Sequence, residues 1–383
     1  MKRIAFILFS VMLVASAVAQ DRLTAVAPRD PRTMAMGGAF VAMSSGYQSL
    51  FGNPASFADA EAELTLLSLN PWVYVSPTTG NIETLSAALD DPSTGLVENL
   101  SDLITTNGIG AGMSGGLGWV GKGLGLGLIG SVDTYVWGRN APGATGTLDG
   151  QNAGVIGVGF PVRLFGMDLS VGGNLRPYLR MTGPISSTQL GSLLSGGDPA
   201  DAITNVPVDV GFGLAVDLGA RLDLGRFLSV GLAIRDISTS QNLTSSTFGE
   251  VLDSLANGDL PPADTTESYS VLPNITLGAS MRPLPEGISG IVDLLLVLEI
   301  QDPVGVIVDK LTVWQLLHAG VEAKFLGGLF ALRTGLNEGY ISLGAGIDLL
   351  IFEANIAVFT EEMGLRPGDR PRTGVSADFS IRL

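Results

Sequence analysis

The sequence predicts an all-β protein: a transmembrane, antiparallel, up-and-down β-barrel of about 14 strands, with an N-terminal hatch in the lumen and short helices in the external loops. Three observations carry this. The chain of 383 residues is 46% hydrophobic and 15% charged, with 52 Gly, too apolar for a disordered chain and too poor in charge for an ordinary soluble surface. No run beyond the N-terminus is apolar and uncharged over helix-spanning length, since even Ile341 to Phe359 is interrupted by Asp348, Glu353 and Asn355. Alternation of apolar and small or polar residues recurs along the chain with period two. A membrane chain without spanning helices satisfies its backbone in lipid by closing a sheet on itself.

In chain order, residues 1–19 read as a secretory signal. Lys2 and Arg3 form the basic start, Ile4 to Val14 the apolar run, and Ala17-Val18-Ala19 a small-residue cleavage site. The run is shorter than the roughly 20 residues of a spanning helix, so a mature start is expected near Gln20. Losing Lys2 and Arg3 takes the formal charge from -16 to -18. Residues 20–60 form a compact small-residue segment. Gly37-Gly38 permits close backbone approach or positive φ and Asn53-Pro54 sets an extended or turn geometry, which suits a hatch folded inside a lumen. The glycine pair lacks the spaced glycines and following Lys of a phosphate loop.

The barrel is expected over 61–383. At the C-terminus Thr373, Val375, Ala377, Phe379, Ile381 and Leu383 alternate with Arg372, Gly374, Ser376, Asp378, Ser380 and Arg382, as a strand between lipid and water would. Leu317 to Phe325, Asp209 to Leu218 and Leu228 to Arg235 repeat the pattern, with Gly, Ala and Ser filling most of the polar side, as suits a crowded lumen. Strands are expected near 63–75, 109–120, 123–137, 152–162, 167–180, 207–220, 227–238, 271–283, 290–301, 313–325, 328–336, 340–348, 350–360 and 372–383. Odd-to-even links are mostly long (76–108, 181–206, 239–270, 361–371) and even-to-odd links are tight, as when both chain ends lie in the periplasm. Asn337-Glu338-Gly339 is a short link on the long-loop side. Apolar spacing predicts two short helices over 82–104, broken at Asp91-Pro92, and one each at 190–203 and 248–255. These helices either cap the loops or wall an apolar groove leading into the barrel.

The absence of Cys excludes thiolate metal centres, disulfides, a cysteine nucleophile and a lipidated cysteine anchor. A pI near 4.4 speaks against nucleic acid as a partner. Parity turns Asp209, Asp217, Arg235, Asp293, Glu299, His318, Glu322, Arg333, Asp348, Glu353, Asp378 and Arg382 inward as a lumen charge network, with no local spacing for a metal site. The single His318 stands beside Glu322 and Lys324 without a nucleophile-elbow sequence and reads as structural, so no catalytic residue or cofactor is expected. Trp72, Tyr74, Trp119, Trp137 and Trp314 lie near strand ends and read as interface anchors.

Met36-Gly37-Gly38-Ala39-Phe40-Val41-Ala42, Asn53-Pro54-Ala55, and the stretch from Arg333-Thr334-Gly335-Leu336-Asn337 through Phe359-Thr360-Glu361-Glu362 to the last strand resemble the FadL-like superfamily of outer-membrane long-chain fatty-acid transporters, including its PorV-like branch. The resemblance covers both ends of the mature chain by motif and the middle by architecture. It implies a fourteen-stranded barrel in the outer membrane of a diderm bacterium, plugged by a hatch and opened laterally in its wall. The implied function is passive uptake of hydrophobic small molecules such as long-chain fatty acids, with Met36, Gly37, Gly38, Phe40, Asn53 and Pro54 on the hatch and ligand path. Partners would be membrane lipid and a hydrophobic ligand. The PorV-like branch implies the alternative of a barrel that docks or shuttles exported proteins, and an outer-membrane enzyme is a remote third class.

Overall fold

The computed structural model describes residues 22–23, 29–76, 80, 83, 103–140, 143–164, 166–194, 201, 204–225, 227–238, 241–259, 267–271, 273–285, 288, 291–303 and 312–383. The expected signal segment lies outside these residues, as does most of the pair of helices expected over 82–104, of which Glu83 and residues 103–104 are described and helical. The strands, in chain order, are β1 Arg22–Leu23, β2 Glu63–Tyr74, β3 Ile109–Gly121, β4 Leu124–Trp137, β5 Thr145–Leu164, β6 Met167–Ile185, β7 Pro207–Leu224, β8 Leu228–Ser238, β9 Gln241–Thr247, β10 Glu267–Val271, β11 Asn274–Met281, β12 Val292–Gln301, β13 Leu317–Phe325, β14 Phe330–Asn337, β15 Tyr340–Leu349, β16 Phe352–Glu362 and β17 Pro371–Arg382.

Fourteen of these, β2 to β8 and β11 to β17, pair antiparallel with their neighbours and close through β17 on β2 and β11 on β8. Each overlaps one strand expected from the sequence. Closure leaves no free edge, which is what lipid requires of a sheet. The Leu124-Gly125-Leu126-Gly127-Leu128 run of β4 shows the two-faced logic. Its leucines stand exposed on the outer surface, with Leu128 at 59%, while a Cβ on Gly127 would come within 2.6 Å of Leu50 and one on Gly125 within 2.4 Å of Phe57, both inside. Leucine thus covers the lipid face and glycine makes inner space for the N-terminal segment.

Several expectations are corrected. Strands β5, β6 and β7 run beyond 152–162, 167–180 and 207–220, and 313–316 is a 3-10 turn ahead of β13. The extra length of β5 and β6 projects past the lipid belt at the long-loop end, where no alternation is imposed and polar stretches such as Thr145 to Gln151 still pair, whereas the extra length of β7, residues 221–224, runs to the tight turn before β8. At the long-loop end of β7, within the expected strand, Val208 and Val210 are buried rather than lipid-exposed, packed with Leu148, Leu179 and Val251. Val251 belongs to helix Phe248–Asn257, which is capped by a Thr247/Glu250 capping box and, together with β9 on β7, covers this rim. The helix Ser187–Leu194 buries Leu190 against Ile104, Val136 and Ala144 at the same end of the barrel. Both helices cap the rim.

The ladder between β7 and β8 shifts register between Val216 and Leu218, opposite Asp236 at φ +59. The Asp236 N–H donates to the Asp217 carboxylate at 2.8 Å, and Arg176 bridges Asp217 and Asp236, so side chains hold the bulge.

Candidate functional site

The candidate site is the lumen and the segment that lies in it. Residues 29–60 pass inside the barrel and touch opposite walls, β14 to β17 on one side and β3 to β7 on the other. The segment opens with a one-turn helix, Pro31–Ala35, set by Pro at its start and by Asp30, whose carboxylate accepts from the Thr33 N–H at 3.0 Å. Positive φ at Gly37 (+72) and Gly38 (+83) then turns the chain. A Cβ on Gly37 would lie 2.5 Å from the carbonyl oxygens of Ala319 and Leu336, and one on Gly335 2.2 Å from the Gly37 nitrogen, so the segment and wall backbones meet without side chains between them.

Farther on, Asn53 caps the 3-10 turn Pro54–Asp59 through the Ala55 N–H (3.0 Å) and donates to the carbonyls of Val41 (3.0 Å) and Ala220 (3.3 Å). Pro54 packs against a wall glycine: a Cβ on Gly172 would lie 2.2 Å from its carbonyl oxygen. Met36 is fully buried with Ala39, Met43, Leu295 and Val297, while Tyr47, Leu50 and Phe57 form a second apolar cluster.

Polar side chains of the wall clamp the segment. The Glu299 carboxylate accepts from the N–H groups of Phe40 and Val41, both at 2.6 Å, charge-assisted bonds that would leave two buried donors orphaned if lost. His318 Nδ1 donates to the Gly37 carbonyl at 2.8 Å. Glu322 takes a bidentate pair from Arg32 (2.9 and 3.0 Å) and a third bond from Arg333 (2.7 Å), which reaches on to Asn355 (2.7 Å).

The remaining residues expected in one lumen network fall into separate groups. Asp217 serves the bulge. Glu353 pairs with Arg382 at 2.5 Å near the tight-turn end, and Asp293 with Arg282 at 3.6 Å. Asp378 is buried with one carboxylate oxygen unbonded among the described residues. Asp209 and Asp348 stand apart: Asp209 accepts from Ser245 on the outer extension of β7, and Asp348 is exposed at the tight-turn mouth. Parity gives the facing side but not the height along the strand, so it merges groups that the barrel separates.

Trp72, Tyr74 and Trp137 are not interface anchors. Trp72 and Tyr74 are buried in the lumen, where both donate to Asp133 (2.7 and 2.8 Å), and Trp137 stacks on Tyr135. Arg29, Arg32, Arg176, Arg372 and Glu361, not assigned to the lumen charge network from the sequence, complete the lumen pairs. Arg32 and Arg29 stand among the few cations of the small-residue segment, but which carboxylates they meet is decided only by closure, as it is for Arg372 and Glu361.

Between the segment and the wall lies a cavity of about 240 Å³, whose lining includes Met34, Phe40 and Phe51, then Arg235, Gln301 and His318, and also Arg29, Glu338 and Glu361. Arg235 packs over the Phe40 ring at 4.4 Å and donates to the Phe51 carbonyl at 3.2 Å; its Nε is buried without a partner and no carboxylate reaches it among the described residues.

Solved structures similar to this chain include hydrocarbon channels. A CymD monoaromatic hydrocarbon channel is 12% identical over 92% of this chain and 96% of its own, with a TM-score of 0.48. The Ralstonia pickettii toluene transporter TbuX is 11% identical over 93% and 98%, at 0.47. A Pseudomonas aeruginosa FadL homologue is 12% identical over 93% and 98%, at 0.45. No protein-family model and no curated protein matches the chain. At such identities these are likenesses of architecture, and no residue role crosses from them to this chain.

Proposed function

We propose that this barrel is an outer-membrane channel for passive uptake of hydrophobic and amphipathic small molecules, long-chain fatty acids among them, gated by residues 29–60. The observation that carries the reading is the lumen of the chain itself. The segment obstructs it, yet is held by discrete side-chain clamps at Glu299, His318 and Glu322 that can release without unravelling any barrel ladder. The cavity beside it joins apolar side chains, Met34, Phe40 and Phe51, to an arginine without a carboxylate, which suits a molecule with an apolar body and an acidic head. Tail binding supplies the hydrophobic driving force, and head binding at Arg235 draws the ligand against Phe40, a part of the gate.

The test is uptake in liposomes. The intact protein should carry a labelled fatty acid in and exclude small polar solutes, and removing residues 20–56 should admit the solutes. Unchanged solute exclusion in the truncated barrel would mean that something other than this segment closes the lumen.

A further inference from the structure

Guanidinium groups and aromatic rings alternate along one wall of the lumen, from the N-terminal segment to the long-loop mouth. Arg29 lies over Trp72 (5.7 Å) and Tyr74 (5.5 Å), and Arg372 between Tyr74 (4.0 Å) and Tyr135 (4.6 Å). Each of these arginines thus meets two rings, and both share the Glu361 carboxylate, at 3.3 Å for Arg29 and 2.7 Å for Arg372. Arg370, the next member outward, lies over Trp137 at 4.7 Å. Among the described residues it meets one ring and no carboxylate within ion-pair distance, its Nε is buried without a hydrogen-bond partner, and its NH2 donates to the Met363 carbonyl at 2.8 Å.

Beside Arg370 opens a cavity of about 550 Å³ at the long-loop mouth, whose lining includes Trp137, Tyr135, Arg139, Thr145 and Asp369. Arg139 is exposed there and enters no ion pair among the described residues. The outermost step of the ladder therefore lacks the two things each inner step has, a second ring over the guanidinium and an ion-paired carboxylate; Asp369 lines the cavity, but its carboxylate accepts from the Arg366 N–H at 3.0 Å and makes no ion pair with Arg370.

We propose that this cavity is a binding site for aryl carboxylates, small molecules that carry both missing parts on one rigid frame. The ring of the ligand stacks on the guanidinium of Arg370, on the face opposite Trp137, and its carboxylate, coplanar with the ring, lies near the Arg370 charge and accepts from the N–H groups of Arg139. A neutral arene supplies only the ring and a small aliphatic acid only the charge, so each alone binds less well. The site is apart from the cavity under Arg235, and its occupation is measured without any transport step, so it stands or falls independently of the uptake reading.

Isothermal titration of the purified full-length barrel in detergent, with benzoate, toluene, acetate and inorganic phosphate as probes, tests this. Benzoate should bind saturably and at least about tenfold more tightly than the other three. Arg370→Gln should lower benzoate affinity by about tenfold or more, and Arg139→Gln, at an exposed position that cannot compromise folding, by a smaller but measurable factor. The proposal is overturned if benzoate shows no saturable binding, if toluene, acetate or phosphate binds as tightly, or if Arg139→Gln and a folded Arg370→Gln both bind benzoate like the parent. Should Arg370→Gln not assemble, Arg139→Gln and the probe series decide alone.

Discussion

Substituting Gly37 by Ala tests how the lumen is closed. The residue sits at φ +72, where an L side chain costs about 1 to 2 kcal/mol. Its new methyl would lie 2.5 Å from the Ala319 and Leu336 carbonyl oxygens. Those oxygens belong to neighbouring strands, and neither can rotate aside as a side-chain tip would, so overpacking adds about 1 to 3 kcal/mol. The sum, about 2 to 5 kcal/mol, shifts the docked against the displaced segment by about thirty-fold to several-thousand-fold. The cost falls on docking alone, because the displaced segment relieves both terms while β13 and β14 keep their register. Gly339→Ala supplies the control: it has φ +97 in a turn with open space around it, so it carries backbone strain without the clash. The assay is leakage of a small polar solute from vesicles, read beside protease cleavage within residues 29–60. Gly37→Ala should leak and be cut while its barrel still shows the heat-modifiable shift on a gel, and Gly339→Ala should do neither. A tight, uncut Gly37→Ala would refute the close backbone contact.

Three further outcomes follow from the same geometry. Glu322→Ala leaves Arg32 and Arg333 buried without their shared anion and should lower stability by about 3 to 5 kcal/mol, read from denaturant unfolding in detergent, with Arg32→Met in the same chain restoring part of the loss. Leu128→Arg on the lipid face should cost about 2 to 4 kcal/mol where the belt is deepest, whereas Leu350→Arg, at a fully exposed turn, should cost about 0 to 1 kcal/mol; equal assembled yields for the two would contradict the lipid assignment. Glu338, in the turn after β14, has its carboxyl pushed up to about 7 by burial, with the negative charges of Glu361 and Glu362 adding to it and the Glu362 N–H opposing it. A folded form that holds a proton which the unfolded chain has released is stabilised at low pH, so stability should fall as pH rises from about 4.5 to 7. Glu338→Gln should flatten that slope.

The strand pattern was legible because lipid imposes it: a residue facing hydrocarbon is apolar and its neighbour is not, so fourteen alternating runs could be read in order and each overlaps a barrel strand. The same rule explains where reading stopped. Past the lipid belt no such constraint acts, which is why the outer ends of β5 and β6 and the strands β9 and β10 carry no alternation to find. The Gly37-Gly38 pair signalled a close approach, since only glycine allows both positive φ and contact between backbones, but the sequence did not say that Ala319, Leu336 and Gly335 were what it approached. Trp72, Tyr74 and Trp137 show the limit most plainly. Aromatic residues near strand ends have two stable fates, the membrane interface and a lumen stack, and composition does not separate them. The choice fell to closure, which brought Arg29 from the N-terminal segment, Asp133 from β4 and Arg372 from β17 around those rings. Local sequence therefore determined which face each residue takes, because side-chain direction in a strand is a matter of parity. Which charges and rings meet across the lumen depends on barrel shear and on the path of the segment inside it, and those are properties of the whole sheet.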